Sequence, residues 1–188
     1  MDNLVTILSF SARKNGNCAA IAQYISNRFQ TNVRTFVIDE NSVSPCGGCD
    51  YECLRADVVC PKATGGYCEM MEAICGSSIV YFIVPNFCGC PCANYFAFNE
   101  RTVGYFNLDR AKMTQYMSIP KRFIIVSNTE GFEQAMAQQA NDTPKILYLK
   151  SGKYHKRSIT GDLLEAPEAR ADLDAYLNEL IPNFCMSH

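Results

Sequence analysis

The chain has 188 residues, of which 48% are hydrophobic and 19% charged, and its formal net charge is −2. This composition is typical of a folded globular protein and excludes disordered and collagen-like chains, and the length favours a single domain over residues 1–188. The near-balanced charge gives no general attraction for nucleic acid or for an anionic membrane, so we predict neither as a partner.

Five short runs rich in β-branched and aromatic residues predict five strands. They lie at residues 4–10, 33–38, 78–84, 122–127 and 146–150. Several of these runs are apolar at consecutive positions, as is typical of parallel strands covered by helices on both faces. Helical periodicity between and after them predicts helices at residues 17–29, 69–74, 93–101, 132–141 and 167–181.

The alternation of strands and helices predicts an α/β fold with a doubly wound parallel sheet. In such a sheet, ligands bind beyond the carboxyl ends of the strands, at the point where the winding reverses. The loops that we expect there are residues 9–18, 85–92 and 127–131.

The loop after the first strand combines hydroxyl groups, two cations, a glycine and the start of a helix at residues 9–18. Free N–H groups and the positive end of the helix dipole favour an anion at such a position, so the loop predicts a phosphate site. An ordinary polar turn before a helix is the alternative. The sequence contains neither G-x-x-x-x-G-K-[ST] nor G-x-G-x-x-G, which disfavours a nucleoside triphosphatase and a tightly held NAD.

Two segments resemble the NADPH-dependent FMN reductase family and its iron-sulfur flavoprotein branch. Residues 10–18, F-S-A-R-K-N-G-N-C, are similar to the family signature G-S-P-R-x-N-G-N-T, and Cys18 stands where that signature has a threonine. Residues 85–101 are similar to the pattern P-V-Y-x-G-x-x-S-A-x-L-K-x-F-I-D-R. The positions in register there are Pro85, Gly89, Ala93, Phe98 and Arg101.

The resemblance implies a flavodoxin-like fold, with a five-stranded sheet in the order 2-1-3-4-5 and a cysteine-rich insertion, residues 45–76, after the second strand. It also implies FMN across the strand ends, with its phosphate on residues 11–18, its ring against residues 85–89 and the loop 127–131 closing the other side. The cofactor-binding residues predicted on this basis are Ser9, Ser11, Arg13, Asn15, Gly16, Asn17, Cys18, Pro85, Asn86, Phe87, Cys88, Gly89, Ser127, Asn128, Thr129 and Gly131.

The chain contains 11 cysteines, and four of them form a C-x2-C-x3-C-x6-C run at Cys46, Cys49, Cys53 and Cys60. The first residues lack the basic and apolar regions of a signal peptide, and no apolar run approaches the ~20 residues that cross a bilayer, so we expect a cytoplasmic protein. Clustered thiols in a reducing compartment are typical of metal sites. A [4Fe-4S] cluster, which the resemblance also implies, a structural zinc ion and free thiols are the three interpretations.

Three more cysteines, Cys88, Cys90 and Cys92, lie where the resemblance places the flavin ring. A thiol at this position offers a route to an adduct or to a disulfide, which makes Cys88 the one candidate catalytic residue. The alternative is that these cysteines serve as small packing residues.

The resulting hypothesis is an FMN-dependent oxidoreductase or electron-transfer flavoprotein, reduced by NAD(P)H or by a ferredoxin-like donor and carrying a [4Fe-4S] cluster if the cysteine run holds one. A basic segment at residues 150–157 is either a site for the NADPH phosphate or a solvated turn. Apolar residues in the connection 102–120 suggest contact with a second subunit, so we expect a homodimer or a higher homo-oligomer. The alternatives are a non-enzymatic, flavodoxin-like electron carrier and a thiol-rich metal-binding protein that lacks FMN.

Overall fold

The computed structural model describes residues 4–29, 32–39, 41–55, 58, 60–62, 65–107, 109–129, 145–157 and 159–179. The strands in this part of the chain are β1 (Val5–Ser9), β2 (Val33–Val37), β3 (Ile79–Phe87), β4 (Cys90–Pro91), β5 (Lys121–Val126) and β6 (Lys145–Leu149). The α-helices in it are α1 (Asn17–Arg28), α2 (Gly66–Cys75), α3 (Ala93–Phe106), α4 (Arg110–Ser118) and α5 (Pro167–Asn178). The helix predicted at residues 132–141 lies outside the described residues.

The five longer strands form a parallel sheet in the order β2-β1-β3-β5-β6. The prediction of an α/β fold with a parallel sheet is therefore confirmed. The predicted order 2-1-3-4-5 needs one correction, because the two-residue strand β4 pairs antiparallel with the end of β3 and displaces the numbering of the strands that follow. Sequence reasoning ended β3 at residue 84, whereas the strand continues through Pro85 to Phe87 and then turns back.

The sheet separates two hydrophobic cores. Along β3, Ile79, Tyr81 and Ile83 belong to the core under α1 and α5, whereas Val80, Phe82 and Val84 belong to the core under α2, α3 and α4. Side chains alternate between the two faces of a strand, so an unbroken apolar run supplies both cores at once. This explains why the run at residues 79–84 is apolar at every position.

The predicted connection at residues 102–120 is largely helical. Helix α3 extends to Phe106, and α4 begins at residue 110, where the Asp109 side chain accepts a hydrogen bond from the Lys112 N–H at 2.9 Å. Phe106 and Tyr116 pack in the core of their own chain, so these two apolar residues are explained without a partner subunit. Within the described residues, no helix is both long and apolar enough to span a membrane.

A buried lysine joins α4 to the sheet. Lys121, the first residue of β5, is 1% exposed, and its ammonium group donates hydrogen bonds to the carbonyl oxygens of Tyr116 and Ile119. The same group lies 4.1 Å from the centroid of the Tyr116 ring. Burial lowers the pKa of Lys121 to about 8. The lysine therefore binds carbonyl groups at the end of α4 in a place where its charge is costly.

Candidate functional site

A cavity of about 240 Å³ lies beyond the carboxyl ends of β1, β3 and β5, and we call it the edge cavity. It is lined by Ser11, Arg13, Gly16, Asn17, Cys18, Pro85, Asn86, Phe87, Cys88, Val126, Ser127, Asn128, Thr129 and Ile159. All three loops expected from the sequence therefore meet here. Of the other predicted binding residues, Ser9, Asn15 and Gly89 adjoin this lining without forming part of it, and Gly131 lies outside the described residues.

One end of the edge cavity is the N-terminus of α1. Gly16 precedes the helix in an extended conformation, and no side chain of the described residues caps the first turn. The first N–H groups of a helix have no partner within the helix, so this end favours an anion. Arg13, which is exposed, adds a positive charge to the same wall.

The side chain of Asn17 has a different role from the one expected. It is 2% exposed; its Nδ2 donates to the Arg157 carbonyl at 3.2 Å, and its Oδ1 accepts from the Leu163 N–H at 3.0 Å. One bond is made just before residues 159–163, which we call the strap, and the other at the last residue of the strap. Asn17 thereby fastens the strap to the start of α1. Gly161 of the strap has a φ of +78°, and a Cβ there would overlap the carbonyl oxygen of Asn15.

The strap contributes a cavity residue that sequence reasoning missed. Ile159 is 61% exposed and lines the edge cavity together with the loops predicted from the sequence. The strap lies well over a hundred residues from the first loop, and no local pattern in it resembles a binding motif. The contact between Gly161 and the first loop, the bonds of Asn17 and the packing of Leu163 in the core under α1 bring it to the site.

The second loop is a tight hairpin. Cys88 and Gly89 have φ values of 54° and 80°, and they connect Phe87 to its partner Cys90. Two consecutive left-handed residues are typical of a type I′ turn. The Gly89 N–H donates to Thr129 Oγ1 at 3.0 Å, and Asn86 Nδ2 donates to the Thr129 carbonyl at 3.4 Å. The second and third loops are therefore bonded to each other.

Asn86 lines the edge cavity and has an acceptor atom without a partner. The residue is 6% exposed, and its Oδ1 has no hydrogen-bond partner in the part of the chain that the structure describes. A buried acceptor without a partner costs about 1–3 kcal/mol, which a ligand N–H at this point would recover. The neighbouring ring of Phe87 is 58% exposed and offers a flat apolar surface. This wall fits the polar edge and the face of a flavin ring.

Cys18 lies in the cavity wall where the resembling family has a threonine. Burial, followed by the neighbouring Cys92 thiol, raises the pKa of Cys18 to about 12. The group is therefore a neutral thiol at physiological pH, and a thiol is a weak hydrogen-bond donor. An anion at the α1 N-terminus receives less help from Cys18 than it would from a hydroxyl group.

The four predicted metal ligands do not meet at one point. Cys46, Cys53 and Cys60 line a second cavity, of about 380 Å³, whereas Cys49 lines a different opening with Pro61 and Lys62. Among the described residues, no group of three or more histidine, cysteine or acidic side chains is arranged to hold a metal ion. The predicted ligand set of a [4Fe-4S] cluster or a zinc ion is therefore not supported by this arrangement.

Two of these thiols form a pair against α3. Cys53 and Cys60 are 5% and 3% exposed and pack on each other, with Cys68 beside them. Gly104 of α3 leaves the room that they need, because a Cβ there would lie 2.8 Å from the Cys60 Cβ. Burial raises the pKa of Cys53, and the nearby thiols raise it further. The raised pKa favours the protonated form of the Cys53 thiol.

Arg101, which the resemblance selected, fastens the cysteine loop. It is 3% exposed, its Nε donates to the Ser44 carbonyl at 2.8 Å, and its Nη2 donates to Ser44 Oγ at 3.0 Å and to the Pro45 carbonyl. Its Nη1 lies 3.9 Å from Cys60 Sγ. The guanidinium group therefore joins Ser44 and Pro45, at the start of the cysteine-rich insertion, to Cys60, the last of the four predicted metal ligands.

Comparison with known proteins shows likeness in fold. No protein-family model matches the chain, and no curated protein matches it. Among solved structures, the Trp repressor binding protein from Bacillus subtilis is 14% identical with a TM-score of 0.62, over 96% of this chain and 99% of that one. Smu.1420 from Streptococcus mutans UA159 is 10% identical with a TM-score of 0.63, over 93% of this chain and 99% of that one.

A third solved structure has a title that states an activity. FerB from Paracoccus denitrificans, described as a flavoenzyme NAD(P)H:(acceptor) oxidoreductase, is 9% identical with a TM-score of 0.52, over 95% of this chain and 96% of that one. In each comparison the match extends over nearly the full length of both chains. The chain therefore has the same α/β fold as these three proteins.

Proposed function

We propose that the chain is a flavoprotein oxidoreductase that binds FMN in the edge cavity and is reduced by NAD(P)H. The observation that carries the proposal is the pairing, in one cavity, of an uncapped helix N-terminus with the unused acceptor of Asn86. One feature suits a phosphate group and the other suits a ring N–H. A ligand with an anionic end and a heteroaromatic end satisfies both.

The phosphate group of FMN would bind at the start of α1. The N–H groups of the first helical turn would donate to its oxygens, Ser11 would add a hydroxyl donor, and Arg13 would supply charge. The side chain of Asn17 contributes indirectly, because it holds the strap against this loop. Helices α2, α3 and α5 also begin without a capping side chain. What distinguishes the start of α1 is that it lies in the wall of the edge cavity together with Ser11 and Arg13.

The isoalloxazine ring would lie against the second and third loops. Asn86 Oδ1 would accept from a ring N–H, and the face of Phe87 would cover apolar ring surface. The bonds of Thr129 to Asn86 and Gly89 hold this wall in place before any ligand arrives. When bound, the flavin supplies hydride and electron transfer, and these residues supply position and polarity.

The first loop would supply the positive charge that attracts the phosphate groups of NAD(P)H. Lys153 and Lys156, from the basic segment, are already paired with Asp172 at 2.6 Å and with Asp162 at 3.2 Å. Arg13 is exposed at the edge cavity and is better placed to attract the phosphates of NAD(P)H. The likeness in fold to FerB supports a nicotinamide donor. We further propose a homodimer, which sedimentation of the FMN-loaded protein would test.

A [4Fe-4S] cluster is not part of this proposal, because among the described residues no three of these cysteines are arranged to hold a metal ion. A non-enzymatic electron carrier, the main alternative, would bind FMN in the same way. The two differ in whether NAD(P)H reduces the bound flavin directly.

The test combines a binding titration with anaerobic reduction. Purified protein is titrated with FMN while the quenching of flavin fluorescence is followed, and NADPH or NADH is then added under argon. We expect stoichiometric binding and bleaching of the flavin band. Bound FMN that only a protein donor reduces would support the carrier, and a protein that takes up no FMN would refute the proposal.

Asn86→Leu provides the site-specific part of the test. The variant keeps the size of the side chain but removes the acceptor, so we expect FMN to bind about 10- to 100-fold more weakly, as for the loss of about 1.4–2.8 kcal/mol. Asn41→Leu, at an exposed position away from the edge cavity, is the matched control. Equal affinities of the two variants for FMN would show that Asn86 does not contact the ring.

A further inference from the structure

Two thiols at the tip of the β3–β4 hairpin have no part in the proposed binding of FMN. Cys88 and Cys90 are both exposed and are separated by Gly89 alone. Cys88 lines the edge cavity, whereas Cys90 does not. The pair therefore extends from the cavity wall to the open surface of the protein.

The hairpin keeps the two thiols close to each other. Their Cα atoms are two 3.8 Å steps apart along the chain, and the turn at Cys88 and Gly89 shortens that distance toward the 4.4–6.8 Å that a disulfide spans. The hydrogen bond from the Gly89 N–H to Thr129 Oγ1, at 3.0 Å, fixes the tip to the third loop. The turn therefore keeps the two cysteines near each other.

The third cysteine of this segment is set apart from the pair. Cys92 is half-buried, and its thiol donates to the Phe10 carbonyl at 3.3 Å. Burial raises the pKa of Cys92, which disfavours the thiolate that exchange requires. Cys92 is thus a packing residue, and the reactive pair is Cys88 with Cys90.

The backbone of Cys88 is unusual for a cysteine. Its φ of 54° lies in the left-handed region, at a turn position that Asn, Asp and Gly normally fill. Strain of this kind is concentrated at functional sites. A thiol at the tip of the turn, in contact with a cavity, has a chemical use that asparagine would not have.

We propose that Cys88 and Cys90 form a dithiol–disulfide centre that reduces low-molecular-weight disulfides of the glutathione type. The Cys90 thiolate attacks one sulfur of the external disulfide, so that a mixed disulfide forms and one thiol leaves with a proton. Cys88 then attacks the Cys90 sulfur, which closes the Cys88–Cys90 disulfide and releases the second thiol. Two electrons and two protons pass from the protein to the substrate.

Return to the dithiol needs two electrons and two protons. This half of the cycle rests on the proposed function. Cys88 lines the edge cavity, beside the site proposed for the flavin, so the reduced flavin would supply the electrons and NAD(P)H would be their source. The exchange half does not depend on any cofactor. The two halves can therefore be tested separately.

The exchange half is tested by mass spectrometry on protein free of FMN. The protein is equilibrated with glutathione disulfide, free thiols are alkylated, and chymotryptic cleavage after Phe87 and Tyr95 releases the peptide 88–95 with the three cysteines. We expect this peptide to carry one internal disulfide and one alkylated thiol. A peptide with a glutathionyl group on each exposed cysteine, or with none and three alkylated thiols, would overturn the proposal.

Single variants identify the roles of the two thiols. In Cys88→Ser the mixed disulfide on Cys90 cannot be resolved, so one glutathionyl group should remain on the peptide. Cys92→Ser is the matched control and should still form the internal disulfide. Loss of the internal disulfide in Cys92→Ser would contradict the assignment of the pair.

The link to the flavin is tested with the oxidised protein. After FMN and NADPH are added anaerobically, the peptide 88–95 should return to three alkylated thiols. If the protein binds no FMN but still forms the disulfide, the proposed function fails and the exchange centre stands. If FMN binds and is reduced while the disulfide remains oxidised, the coupling to the flavin is wrong.

Discussion

The strap provides the most direct test of the site's construction. Asn17→Ala removes two hydrogen bonds that join α1 to residues 146 and 140 positions away, the Leu163 N–H and the Arg157 carbonyl. Both bonds lie in a buried or partly buried setting, so the variant leaves one donor and one acceptor unpaired. The strap also contacts the first loop at Gly161, and Leu163 packs in the core under α1, but neither contact supplies a partner for the two unpaired groups.

The expected loss follows from the cost of unpaired groups. At about 1–3 kcal/mol for each buried group, partly relieved by water at the more open Arg157 end, Asn17→Ala should lower the free energy of unfolding by about 2–4 kcal/mol. For a chain of this size each kcal/mol shifts Tm by about 2–4 °C, so Tm should fall by about 4–16 °C. The measurement is urea unfolding followed by far-UV circular dichroism, together with a thermal scan.

Asn15→Ala is the matched control, since it removes an exposed asparagine from the same loop. It should change stability by about 0.5 kcal/mol or less. The same two variants should also separate in FMN affinity, with Asn17→Ala the weaker binder because the loop that receives the phosphate group loses its fastening. Equal stabilities of the two variants would refute the reasoning that the strap depends on Asn17.

Three further substitutions test individual contacts. Folding lowers the pKa of Lys121 to about 8, whereas an unfolded lysine has a pKa of about 10.4, so between these values the unfolded chain binds more protons. As pH rises through this range, the free energy of unfolding should therefore increase by up to about 3 kcal/mol relative to that of Lys121→Met. A constant difference between the two proteins in urea unfolding across this pH range would contradict this. Gly104→Ala should lower the free energy of unfolding by about 1–2 kcal/mol in the same assay, because its Cβ would lie 2.8 Å from the Cys60 Cβ, and this clash outweighs the better helix propensity of alanine. Gly66→Ala, which has open space around it, is the control and should not destabilise the protein. Cys18→Thr should tighten FMN binding about tenfold, measured by flavin fluorescence, and Cys18→Val, which has the shape without the hydroxyl group, should not.

Hydrophobic patterning predicted the sheet because burial is a local property of each strand. The apolar run at residues 79–84 indicated a strand covered on both faces, and both cores of the protein contain it. The extension to Phe87 and the short strand β4 were missed, since Pro85 is unusual within a strand and Cys88-Gly89 lacks the Asn-Gly signal of a two-residue turn. Both errors lie at the carboxyl edge of the sheet, where the sequence has to suit the proposed ligand as well as the packing of the strands.

The binding loops were predictable because parallel strands bring their carboxyl ends to one edge of the sheet. What could not be predicted is which polar atoms remain available there. Asn17 was expected to face a phosphate group, yet both ends of its side chain are bonded to segments that the sequence places far away. Asn86 retains a free acceptor only because its amide nitrogen is directed to Thr129. Such assignments depend on contacts between distant residues, which spacing along the chain does not encode.

The cysteines show most clearly that spacing along the chain does not determine which side chains meet. Their spacing fixes how much chain separates Cys46, Cys49, Cys53 and Cys60, but the direction of each side chain depends on the backbone between them. Gly47, Gly48 and Tyr51 all adopt positive φ values, and the turns that they make direct Cys49 to a different opening from the other three. A ligand motif and a hairpin dithiol can therefore look alike in sequence. In this chain we favour the hairpin dithiol, because a single residue separates its two thiols and disulfide formation needs only this pair.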